Sequence, residues 1–285
     1  MTIVITLASA ARAEHVQRQQ EHLRAHPVDR VIVWLDVSPP ERSEFPHGAE
    51  FADRAGARLV HVSPGEHGLR LAAGRNAGAR EASRAGDASE LLVFLDADCI
   101  PGAELLKRYE AAAAARPDAL LAGPVTYLPP GAAVSTPEDL REATAPHPAR
   151  PVPADGALLD GDRYELFWSL SFATTRETWD RLGGFDEGYE GYGGEDTDFA
   201  FRARDAGLPL VWVGGAHAYH QHHPTSSPPV QHLDDILRNG ARFAERWGEW
   251  PMQGWLSAFA DLGLVEQDGT GYRRVHPGPE AAPRI

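Results

Sequence analysis

Short apolar runs alternate with helix-like stretches in the first part of the chain. Ile3 to Leu7, Val31 to Leu35, Leu59 to Val62 and Leu91 to Leu95 are rich in β-branched residues and leucine, and each predicts a strand. Between them, Ala72 to Ala85 and Ala103 to Ala115 are alanine-rich and predict helices. The second helix follows the turn-forming Pro101-Gly102 pair and stops before Pro117. This alternation predicts an α/β fold with a Rossmann-like, mostly parallel sheet flanked by helices. Ligands of such sheets bind beyond the carboxyl ends of the strands, where Asp36 and Asp96 stand.

The pattern dissolves between Pro124 and Pro153, a run holding eight prolines, which predicts a mobile surface loop. Order resumes with a strand over Phe167 to Ala173. A capping box at Thr174-Thr175-Arg176-Glu177 then starts a helix that runs to Leu182 and is ended by Gly183-Gly184. A helix from Glu195 to Gly207 and a strand from Leu208 to Val213 follow. Beyond Val230, Leu233, Ile236, Leu237, Ala241, Ala244 and Trp247 recur at helical spacing and predict an amphipathic helix. A shorter helix is expected over Gln253 to Leu262, and the polar stretch from about Gln267 reads as a frayed tail. The organisation expected is a main domain over 1–225, divided into a half over 1–122 and a half over 123–225 that carries the loop 124–153, with a helical extension and tail over 226–285.

Composition narrows the class. The formal net charge is −14, which disfavours a polyphosphate backbone or an anionic bilayer as partner, so no nucleic acid is expected. Cys99 is the only cysteine, which excludes an intramolecular disulfide and multi-cysteine metal sites. The apolar stretch Ile3 to Ala11 has no basic residue before it and reads as a strand rather than a signal peptide. No run approaches the roughly 20 apolar residues of a membrane span, so the expectation is a cytoplasmic protein without a transmembrane segment.

Four features carry chemistry. Leu92-Val93-Phe94-Leu95-Asp96-Ala97-Asp98 is an apolar strand delivering two carboxylates two residues apart, so both can face one ligand; this suits Mg²⁺ or Mn²⁺ bridging to phosphate oxygens. Gly183-Gly184-Phe185-Asp186-Glu187 and Gly191-Tyr192-Gly193-Gly194-Glu195-Asp196 bring acids to a glycine-rich loop and a helix start, where an ionised carboxylate is favoured and can accept a proton from a hydroxyl. His217, His220, His222 and His223 follow a strand and suggest one nitrogen ligand to a metal. Gly68 with Gly74-Arg75-Asn76-Ala77-Gly78 forms a glycine-rich helix entry whose backbone N–H groups and arginine can hold phosphate.

In order and spacing, these motifs resemble a GT-A-fold glycosyltransferase of the family 2 type, with a second half similar to the β-1,4-galactosyltransferase C-terminal region. The resemblance covers about residues 3 to 223. It implies metal-dependent, inverting transfer of a sugar from a nucleotide diphosphate sugar to an acceptor hydroxyl. It implies Asp196 as catalytic base with Glu195 beside it holding the donor sugar or acceptor. Donor binding falls to Asp36, Arg75, Asn76, Asp96 and Asp98, and sugar or acceptor contacts to Trp168, Tyr192 and Gly194. Asp98 and His220, with His217 in reserve, would hold Mn²⁺ or Mg²⁺. A carboxylate at Asp196, where retaining N-acetylgalactosaminyltransferases have Asn, points to inversion. Tyr192 replaces a galactosyltransferase Trp, Thr197 replaces an acid, and Ile5-Thr6-Leu7-Ala8-Ser9 lacks the family 2 Pro-Thr-Tyr-Asn. The expected donor is a UDP-hexose, with a GDP-sugar as the alternative, and the acceptor a small molecule, glycan or lipid-linked intermediate.

Two other readings compete. A haloacid dehalogenase-type phosphohydrolase also sets Asp-X-Asp after an apolar strand, but it needs a downstream lysine, and the only one here is Lys107. A non-catalytic nucleotide-sugar or carbohydrate binder on the same fold would need neither Asp98, Asp196 nor His220.

Overall fold

The computed structural model describes residues 1–38, 56–82 and 90–275. In chain order the elements are β1 (Thr2–Ala8), α1 (Ala13–Leu23), β2 (Asp29–Trp34), β3 (Arg58–His61), α2 (Leu71–Ala82), β4 (Leu91–Asp96), β5 (Cys99–Pro101) and α3 (Leu105–Ala115). They continue with β6 (Leu120–Ala122), β7 (Val125–Tyr127), α4 (Pro137–Glu142), β8 (Leu158–Gly161), β9 (Ser171–Thr175), α5 (Arg176–Leu182) and α6 (Glu195–Asp205). The remainder is β10 (Leu210–Val213), β11 (Ala218–His220), α7 (Leu233–Trp247), α8 (Gln253–Asp261), β12 (Val265–Asp268) and β13 (Gly271–Arg274). The last part of the predicted helix Ala72 to Ala85 lies outside the described residues.

Eight strands form one sheet in the order β3-β2-β1-β4-β9-β6-β10-β8. β9 runs antiparallel to both β4 and β6, and β8 antiparallel to β10, while the other pairings are parallel. The strands read as unbroken apolar runs because both faces are covered. Ile3, Ile5 and Leu7 of β1 join Leu92 and Phe94 of β4 in one core, under α2, α5 and α6. Val4, Leu91, Val93 and Leu95 point the other way and pack with Leu105, Leu106 and Tyr109 of α3. α2 lies close on the sheet: a Cβ added at Gly78 would sit 2.4 Å from Ile5 Cγ2 and 3.0 Å from Val33 Cγ2. Gly78→Ala is therefore expected to destabilise the protein by about 1–3 kcal/mol through overpacking, measured by denaturant unfolding.

Four expectations are corrected. The stretch Pro124–Pro153 is not a bare loop: it supplies β7, the capped helix α4 and a bridge between Thr126 and Pro146, and it buries Arg150. Its prolines fall where no N–H is needed, such as Pro137 in the first turn behind the Thr136 cap. The tail from Gln267 forms most of the β12–β13 hairpin, with residues from 276 outside the described part. The strand expected over Phe167 to Ala173 starts only at Ser171, because Tyr164–Leu166 is a 3-10 turn. The cap of α5 is Thr175, whose Oγ1 accepts from Thr178 N; Thr174 Oγ1 instead donates to Ala119 O.

β5, β11 and β7 form a second sheet of three strands in that order. It extends the carboxyl end of β4 and sets Cys99, His220 and Tyr127 side by side in register. The C-terminal extension has its own small core of Leu233, Ile236, Leu256, Phe259 and Val265. Among the described residues, no helix is long and apolar enough to cross a membrane.

Candidate active site

The turn after β4 presents the two carboxylates, and α1 fixes that turn. Buried Gln19 donates to Asp96 O at 2.7 Å and to Cys99 O at 2.8 Å, while its own oxygen accepts from Thr6 Oγ1 at 2.7 Å. Gln221 N, just beyond β11, donates to Asp98 O at 2.7 Å. The two aspartates consequently enter different environments.

Asp98 faces histidines. Its carboxylate lies 3.4 Å from His220 Nε2, 3.3 Å from His223 Nε2 and 3.4 Å from Arg12 Nε. Burial alone would raise this carboxyl, but the hydrogen bond with His223 and the charges of His220 and Arg12 outweigh it and hold Asp98 at about 2. Burial lowers the His220 imidazole against the pull of Asp98, which favours the neutral ring that metals bind. One ligand atom from each of Asp98, His220 and His223 lies within 4.8 Å of the others, one oxygen and two nitrogens converging on a point. This donor set fits a divalent cation such as Mn²⁺ or Mg²⁺, with positions left for substrate oxygens. His217 is elsewhere: its Nε2 lies 2.7 Å from Thr126 Oγ1, and burial lowers it to about 4. Of the histidine cluster, His220 and His223 face Asp98, and His217, the reserve choice, does not.

Asp96 faces arginine. Arg75, buried in α2, donates to Asp96 Oδ1 at 3.1 Å and to Glu195 Oε1 at 3.2 Å, so one guanidinium ties the end of β4 to the start of α6. Burial, aided by Asp98 and Glu195, raises Asp96 to about 6 despite Arg75. Asn76 does not project freely: its amide donates to Phe185 O and Glu187 Oε1, both at 2.9 Å, and its oxygen accepts from Phe185 N at 2.8 Å. Those bonds dock the Gly183–Glu187 loop on α2. Gly184, at φ +74°, leaves no room for a side chain there, since a Cβ would lie 2.4 Å from Asn76 Oδ1. Asp36, after β2, accepts from Ala10 N and Val37 N beside the Arg12 turn.

Gly194, at φ +91°, caps α6, whose first turn carries Glu195, Asp196 and Asp198. Asp196 accepts from Thr197 N at 2.8 Å and has no arginine in direct contact among the ion pairs of the described residues. Burial and the neighbouring Glu195 charge raise it to about 7, Arg75 pulling the other way. A carboxyl poised near neutrality at the edge of a site suits a general base. Asp198 is an anchor: fully buried, it binds Arg202, Arg246 and Trp247 Nε1.

The loop before α6 is gripped by α7. Asn239, 2% exposed, donates to the carbonyls of Glu190, Tyr192 and Gly193. Asp235 accepts from Tyr192 N, and Arg238 donates to Glu190 O. Tyr192 stacks on His232 at 4.3 Å, with Trp255 nearby. Trp168 packs instead against His147 at 5.0 Å and Arg150 at 5.3 Å. Arg12, Asn239 and Arg150 are the residues that the sequence motifs missed, whereas His223 stood within the histidine cluster they singled out.

Comparisons agree with this architecture. A family described as the N-terminal domain of galactosyltransferase matches residues 161–224. Validoxylamine A glucosyltransferases of two Streptomyces hygroscopicus subspecies, jinggangensis and limoneus, are each 28% identical over 177 residues, 54% of this chain. The chain spans only 40% and 37% of those relatives. Among solved structures, GalNAc-T7 with UDP, GalNAc and Mn²⁺ superposes with a TM-score of 0.57 at 16% identity, covering 87% of this chain and 48% of that one. S. aureus TarS gives 0.53 at 11% identity, covering 85% of this chain and 39% of that one. The fold is therefore GT-A, as the motifs implied.

Proposed function

We propose that this chain is a metal-dependent, inverting glycosyltransferase that moves a hexose from a UDP-sugar to an acceptor hydroxyl, with Asp196 as base. The observation that carries the reading is the division of labour at the end of β4. Asp98 converges with His220 and His223, while Asp96 is joined through Arg75 to Glu195, next to Asp196. A glucosyltransferase relative and a structural neighbour holding UDP and Mn²⁺ support the donor class.

In this reading Asp98, His220 and His223 would hold Mn²⁺ or Mg²⁺. The ion, when bound, offsets the charge that develops on the departing diphosphate. Arg12 and Asp36 flank the nucleotide side, and Arg75 keeps Asp96 and Glu195 oriented toward the donor sugar. Asp196 takes the proton of the acceptor hydroxyl as the oxygen attacks the anomeric carbon opposite the leaving group. Tyr192 and Trp168 present rings to the sugars, and Gly194 lets the backbone approach. A cytoplasmic location and a small-molecule, glycan or lipid-linked acceptor complete the reading.

A phosphohydrolase is not favoured, because Lys107 of α3 is exposed and pairs with Glu104, just before that helix, rather than with Asp98. The deciding experiment is a thermal-shift panel of UDP, GDP, dTDP and CDP, each with and without Mn²⁺. Stabilisation by UDP only with metal is expected, a GDP response would change the donor, and no response to any nucleotide would end the reading. Binding without transfer to any acceptor would favour the non-catalytic alternative.

The raised Asp196 carboxyl sets a pH dependence. Its active form is the carboxylate, so protonation as pH falls through about 7 removes the base. A kcat/KM profile should drop roughly tenfold per pH unit on the acid side of that midpoint, and a profile flat from pH 5 to 8 would exclude Asp196 as the titrating base.

A further inference from the structure

Arg150 is a feature of this region that the proposed reaction does not use. The residue is 4% exposed, and its Nε, Nη1 and Nη2 are all buried with no hydrogen-bond partner among the described residues. Its guanidinium lies between two indoles, 4.8 Å from the Trp212 ring centre and 5.3 Å from that of Trp168. Stacking of this kind offsets part of the desolvation of a cation, but it leaves every N–H without an acceptor. Buried charges are ordinarily paired, and an unpaired one calls for a partner that the chain itself does not supply.

Its location shows where that partner arrives. Cys99, His220 and Tyr127 share a row across the three-stranded sheet. The segment that carries Arg150 is docked on β7 of that sheet: Thr126 bridges to Pro146, His147 N donates to Val125 O, and Arg150 N donates to His147 O. A line of rings leads to it from the Asp98 cluster: Tyr127 lies 4.6 Å from His220, His147 5.6 Å from Tyr127, and Trp168 5.0 Å from His147. Tyr127 is 46% exposed, and Trp168 is half-buried over the guanidinium.

Resting on the glycosyltransferase reading, we infer that Arg150 is the anion receptor of the acceptor subsite. The acceptor carries a carboxylate or phosphate, which the guanidinium binds once the Trp168 indole swings aside, and its ring lies along Tyr127 and His147. Planar bidentate binding is what an arginine fork offers such groups. A carboxylate on the transferred sugar is the other source of the same chemistry. The acceptor is favoured because Arg150 and Trp168 come from the later half of the domain, whereas Asp36, Arg75 and Asp96 hold the donor side.

The test uses the intact protein without nucleotide, titrated with glucuronate and glucose 6-phosphate, with glucose as the neutral control. Tm and intrinsic tryptophan fluorescence are the readouts. An anionic probe at about five times its Kd is expected to raise Tm by about 2 °C and change the emission of Trp168, while glucose does neither. Arg150→Met should lose both responses, yet still be stabilised by UDP with Mn²⁺. Equal responses to glucose and glucuronate, or an anion response that persists in Arg150→Met, overturn the inference. The charged-against-neutral comparison on wild type decides the matter even if that variant does not fold. A charge-dependent response seen only with UDP-glucuronate and Mn²⁺ puts the carboxylate on the donor and overturns the acceptor assignment. Failure of UDP with Mn²⁺ to stabilise wild type is a separate result that strikes the glycosyltransferase reading.

Discussion

Asp98→Ala should abolish the metal-dependent part of nucleotide binding. In wild type, UDP at about 100 times its Kd with Mn²⁺ adds roughly 2.7 kcal/mol to the folded state, a shift easily seen by thermal denaturation. Asp98 supplies the only carboxylate of the three-residue cluster, and without it two neutral imidazoles are a poor site for a hard cation. The variant should therefore show the same Tm with UDP whether or not Mn²⁺ is present. His223→Ala should weaken the metal response and His217→Ala should leave it intact, because His217 is held by Thr126. An undiminished Mn²⁺ response in Asp98→Ala would falsify the metal assignment.

Asp196→Asn should leave donor affinity near the wild-type value while lowering transfer by about 10²–10⁴-fold, the usual scale of general-base loss. The substitution keeps size and can still accept from Thr197 N, so α6 and its cap are preserved. The loss belongs in kcat, since donor contacts are assigned to Arg75, Asp96 and Asp98. The acid limb expected near pH 7 should vanish from the residual activity. Wild-type turnover in this variant would remove Asp196 from the mechanism.

The parts of the fold visible in the sequence are those whose burial is continuous. β1, β2 and β4 could be read because both faces are covered and their central positions are apolar, save for Thr6, whose hydroxyl is satisfied by Gln19. β5, β6, β7 and β11 have three residues each, too few to show a period, and only pairing defines them. α1 was silent for another reason: its buried face includes Gln19 and Gln20 beside Val16 and Leu23, so hydrogen bonding replaces apolar spacing. The Pro-rich stretch concealed the most unusual side chain, because reading it as a loop implied an exposed Arg150. At the site, adjacent residues could be read and distant ones could not. Asp96 with Asp98 and Glu195 with Asp196 stand together in the chain, whereas His223 reaches Asp98 only through the turn after β11. Arg12 and Asn239 owe their places to tertiary packing.

The hold of α7 on the loop preceding α6 bears on how this scaffold can diversify. Asn239 binds three carbonyls within four residues of that loop, groups that every sequence possesses, while Asp235 and Arg238 add contacts to the same few peptide groups. Gly191, Gly193 and Gly194 at positive φ complete this fixed main-chain template, on which Tyr192 is the position open to variation, and the template is encoded some forty residues downstream. Recombination that exchanges the C-terminal helices between relatives should disturb substrate choice without touching a substrate contact. Grafts that carry loop and helix together should transmit it intact, making the two segments one unit of inheritance.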